Sequence, residues 1–138
     1  MRLIFCLLMQ LLLSITSFAH TVSVYVSFSM PKQLLIETLK ESAQLQIPAY
    51  INGLYRDSMN ETALKVMELS KRIPNLNLNI DPTKFERFGI HQVPALVVDD
   101  GKAFDVTYGH LTIQEGLARM AGRGEVDFTH KEIRRMES

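Results

Sequence analysis

The side chains in this sequence that could do chemistry are serines, methionines and histidines; cysteine is nearly absent. The single cysteine, Cys6, sits early in an apolar N-terminal run and lacks the small residues that precede a lipidated cysteine. No thiol follows it, so disulfide exchange, which begins with a thiolate, is excluded from the rest of the chain. The stretch VSVYVSFSMP, residues 22–31, ends in Phe28-Ser29-Met30-Pro31, a turn at the end of an expected strand. A Ser29 nucleophile would need a base within hydrogen-bond reach, and none is adjacent in sequence. His91, His110 and His130 have neither metal-ligand spacing nor cysteine company. His20, if it became an N-terminus, would offer an amino group and an imidazole to copper, although a histidine merely placed there is the simpler reading. No cofactor is expected. Met59, Met67 and Met120 fall on apolar stripes and read as packing rather than as a copper or client box.

The elements that must position these residues follow in order. Val22, Val24 and Val26 alternate with Ser23, Tyr25 and Ser27 before Phe28, which is strand chemistry. Ser29 is expected to cap the next helix and Pro31 to occupy its first turn. That helix spans 31–46, with Leu35, Leu39 and Ala43 at helical spacing. Residues 47–54 form a second, buried strand with Pro48 at its start. Together they make a βαβ unit, right-handed by rule. A helix over 58–73 carries Met59, Ala63, Val66, Met67 and Ser70 as its expected core stripe, with Glu61/Lys65 and Glu68/Arg72 as ion pairs. Residues 75–80 alternate leucine and asparagine, a half-exposed strand near an edge. Asp81-Pro82 opens a short helix that Gly89 ends. After Val93-Pro94 come a buried strand at 95–98, an Asp-Gly hairpin at 99–102 and a returning strand at 103–108. Thr112 and Glu115 form a capping box for a helix over 113–121, with Gly122 as its C-terminal stop. Residues 124–138 read as a charged, solvated tail.

The chain has 138 residues, one domain's worth. Residues 1–19 carry Arg2, an apolar run and Ser17-Phe18-Ala19, which is the pattern of a secretory signal peptide; cleavage is expected after Ala19, leaving 20–123 as the domain. No later run is long enough to span a membrane. The 15 basic and 15 acidic residues balance, which argues against nucleic acid as the main partner.

The segment LNIDPTKFERFGIHQVPALVVDDGKAFDVTYGHLTIQEGLARM, residues 78–120, resembles the C-terminal half of thioredoxin-like domains. That implies an α/β three-layer fold, a central mixed sheet of four to five strands, helices on both faces and a cis-proline loop at Val93-Pro94. It places Ser29-Met30-Pro31 where redox members carry their paired cysteines. It also makes His91 the one histidine expected near that loop. VSFSMP, ING, FGI and VPALVV together resemble one family more closely, TrbC of F-type conjugative transfer systems. The resemblance implies a periplasmic component of a type IV secretion machine that acts in pilus or mating-channel assembly beside other transfer proteins such as TraW. The implied site is a groove formed by Phe28, Ser29, Met30, Pro31, Val93 and Pro94, which either shapes the fold alone or pairs with an extended peptide. A peptide-binding chaperone for an exported client is the alternative. A cysteine-independent enzyme, either a Ser29–His91 hydrolase or a copper protein through His20, is the remote one.

Overall fold

The strand that ends in Phe28-Ser29 lies at the centre of the sheet. In a computed structural model, which describes residues 19–109, 112–121, 123–124, 126 and 129–136, β1 (Thr21–Val26) is followed by α1 (Lys32–Gln44), β2 (Ala49–Ile51), a short 3-10 turn (Tyr55–Asp57) and α2 (Met59–Arg72). Then come β3 (Leu78–Ile80), α3 (Pro82–Arg87), β4 (Ala95–Asp99), β5 (Phe104–Tyr108), α4 (Ile113–Met120) and α5 (His130–Met136). Residues 1–18, His110 and Gly122 lie outside the described residues. Among the described residues no helix is long and apolar enough to cross a membrane.

The sheet order is β3-β2-β1-β4-β5. β1 runs parallel to β2 and antiparallel to β4, with Val24 opposite both Ala49 and Leu96. Its five residues from Val22 to Val26 are all buried, as a central strand covered on both faces requires. One face carries the larger core: Val22, Val24 and Val26 against Leu35 and Leu39 of α1, Leu69 of α2, and Ile113 and Leu117 of α4. The other carries Tyr25, Phe85, Phe88, Ala95 and Val97 under α3. Tyr25 is fully buried there, its ring edge-on to Phe85 at 5.0 Å and to Phe88 at 6.1 Å. Burial pushes its phenol up to about 12. This is the mixed, thioredoxin-like α/β architecture expected, with helices on both faces.

Two expectations about packing change. On α2 the buried residues are Thr62 and Leu69, whereas Met59 and Met67 are 63% and 56% exposed. The helix carries apolar residues on two faces, and the sheet took the one bearing Leu69. Met120 is buried as expected. The C-terminal segment is not simply a solvated tail: Val126 and Ile133 are 1% and 7% exposed. Val126 N–H donates to the Asp105 carboxylate at 2.9 Å. A Cβ on Gly124 would collide with that same carboxylate, so the glycine lets the chain pass close to β5.

Candidate functional site

Three features place the loop after β1. Met30 N–H donates to Ser27 C=O at 3.1 Å, closing a tight turn. Ser27 Oγ accepts the Ser29 N–H at 3.1 Å and lies 2.8 Å from Ser29 Oγ. The Met30 side chain turns inward and is buried, its sulfur receiving the Ser27 N–H at 3.4 Å. Ser29 is therefore not the helix cap. The N-cap of α1 is Pro31, which has no side-chain cap hydrogen bond. Ser27 Oγ takes the Ser29 N–H in a local side-chain-to-backbone turn, and Ser29 is left exposed at the tip.

Opposite this loop the Val93-Pro94 bond is cis. Ser29, Met30, Pro31 and Leu34 form one wall of an open groove of about 440 Å³, and Gln92, Val93, Pro94, Tyr108 and Gly109 form the other. Of the six expected site residues, five meet in this groove. Phe28 turns away, edge-on to Tyr55 at 5.7 Å. The Pro94 carbonyl accepts Gly109 N–H at 3.1 Å, which ties the groove floor to the end of β5. None of the hydrogen bonds among the described residues uses the Val93 main chain.

His91 is beside the groove but is held elsewhere. Its Nδ1 lies 3.1 Å from Gly89 O and 3.2 Å from Tyr108 Oη, and the two rings are 4.8 Å apart. Ser29 Oγ is committed to Ser27, and no hydrogen bond joins it to His91 among the described residues, so the geometry for serine attack is not assembled. His20 Nδ1 sits 2.7 Å from Glu132 Oε1, a pair that sequence spacing could not reveal. Tyr108 and Gln92 were missed as groove residues. Tyr108 had one usable signal, its place at the end of a strand just before a glycine.

A family model described as type-F conjugative transfer system pilin assembly protein, TrbC, matches residues 24–132. The chain belongs to this TrbC family. It is also 36% identical over 101 residues to the periplasmic protein TrbC of Escherichia coli (strain K12), a match over 73% of this chain and 48% of that protein. The chain thus spans about half the length of this curated relative. No solved structure is a match. The matched TrbC region contains both walls of the groove.

Proposed function

We propose that the chain is a periplasmic pilin-assembly component of an F-type conjugative transfer system, and that it works by binding an extended segment of another transfer protein. The family and the periplasmic relative support the setting. One observation carries the mechanism: among the described residues no hydrogen bond takes up the Val93 main chain, and Val93 lines a groove with Pro31, Leu34 and Tyr108. A main-chain donor and acceptor beside an apolar trough is how an extended peptide is held by strand addition, with backbone bonds for affinity and wall contacts for selectivity. The groove also falls in the volume range of sites that bury small ligands and side chains. Nothing in this mechanism needs a nucleophile, so it operates without the cysteines that redox relatives of the fold use.

Site-specific photocrosslinking in pilus-producing cells tests the reading. A crosslinker at Ser29 or Gln92 should capture a transfer protein, while one at the exposed Glu86 of α3 should not. Equal capture at Glu86, or none at the groove positions, would defeat it. Because the backbone does the holding, Ser29→Ala should assemble pili normally.

A further inference from the structure

A second depression lies behind the loop, between α1 and α2. Its floor is apolar: Phe28, Met30, Leu35 and Leu69. Its volume is about 90 Å³, far below that of a typical small-molecule site and suited to one side chain. The rim is charged and lopsided, with Lys32, Lys65 and Arg72 against a single carboxylate, Glu68. Glu68 is already shared, with Arg72 Nη2 at 3.4 Å and Lys32 Nζ at 3.9 Å. Lys65 does not form the expected pair with Glu61, which turns to Arg56 at 3.8 Å. Its ammonium lies instead 4.9 Å from the Tyr55 ring centroid. The chain as a whole is charge-balanced, so this local excess of positive charge around an apolar hole is a specific feature.

We propose that this pocket takes an aliphatic side chain flanked by carboxylates, and so selects an acidic segment of the bound partner. The floor removes the aliphatic group from water. The excess positive charge of the rim, three cations to one carboxylate, meets the carboxylates of the segment, and complementary charge contributes selectivity and on-rate. The inference deepens the groove reading, because Met30 lines both depressions. One extended segment crossing the loop would occupy both.

The test is amide-resolved NMR titration of the purified chain with three short peptides, identical except for a central Leu-Asp-Asp, Leu-Asn-Asn or Ala-Asp-Asp. The Leu-Asp-Asp peptide should shift the amides of Lys65, Leu69 and Arg72, and the other two should bind about fivefold more weakly. Reversing the rim with Lys65→Glu and Arg72→Glu together should weaken it about tenfold. Lys84→Glu, a cation on the other face of the sheet, should change nothing. Equal binding of the three peptides, or no shift at saturating peptide, overturns the proposal. Shifts confined to Val93 and Tyr108 overturn it while leaving the groove reading intact. Shifts confined to the pocket support it and count against the groove. Binding to phosphatidylglycerol vesicles that the rim variant abolishes, with no peptide binding, would replace the acidic segment by a lipid and also overturn it.

Discussion

At the loop after β1, two serines two residues apart have different roles, and only their hydrogen bonds separate them. Ser27 Oγ accepts the Ser29 N–H and stands beside the Ser29 hydroxyl, while Ser29 supplies nothing to the helix that follows. Removing the Ser27 hydroxyl therefore removes the partner that holds the Ser29 N–H in the exposed turn. Ser27→Ala should cost about 1 kcal/mol, the scale of a lost side-chain-to-backbone bond. Ser29→Ala should stay within about 0.5 kcal/mol, as surface changes do. Urea denaturation of the two variants gives the comparison, and an equal or reversed order would show that Ser29 holds the loop after all. The sequence pattern pointed to the right place but expected a serine cap where the helix starts at Pro31 with no side-chain cap at all. Cap propensity ranks residue types and does not say which neighbour takes the donor.

Among the elements, the short-range punctuation was legible: the Asp81 cap, the Thr112–Glu115 box, the Gly89 stop and the Asp-Gly hairpin all form. Each is decided within a few residues. The core face of α2 was not legible, because Met59, Ala63 and Met67 share one face while Thr62, Leu69 and Ile73 share another. Periodicity alone could not choose between them. Tertiary bonds were equally hidden. Glu41, which reads as an exposed helix position, reaches from α1 to the start of α4, where its carboxylate accepts Ile113 N–H at 2.8 Å and Gln114 N–H at 3.3 Å. A carboxylate at a helix N-terminus satisfies orphan donors and meets the positive end of the dipole. Glu41→Ala should therefore destabilise by about 1.5–2 kcal/mol, more than a surface glutamate would. Thermal unfolding checks this, and a change no larger than that of the exposed Glu86→Ala would mean the contact contributes nothing net.

On the scale of the molecule, the two ends of the domain meet. His20, just before β1, pairs with Glu132 of α5, and Ile133 on the same helix enters the main core. The sequence could not show this closure, since the apolar residues of 124–138 stand scattered among charges and the pair spans the whole domain. It makes the docking of α5 sensitive to acid, with a sign that follows from Glu132. Burial raises that carboxyl's pKa, but hydrogen bonds from the Thr129 N–H and hydroxyl and the His20 imidazole outweigh it and hold the value below the ordinary 4.5. A lowered folded value means that the contribution is complete above the unfolded value and fades as the pH falls through the folded one. Asp81 and Asp100 are lowered too, the first by the Thr83 hydroxyl and the second by the Ala103 and Lys102 N–H groups, so the melting temperature should drop in acid whatever α5 does. The difference between the native chain and Glu132→Gln removes that shared part. The melting-temperature gap should be full above the ordinary carboxyl range and narrow as the pH falls below it. The protection factor of the Ile133 amide, which removes the intrinsic pH dependence of exchange, should fall in the native chain over the same interval, showing that α5 is the part that loosens. A gap independent of pH would mean that the Glu132 charge plays no part in closing the domain.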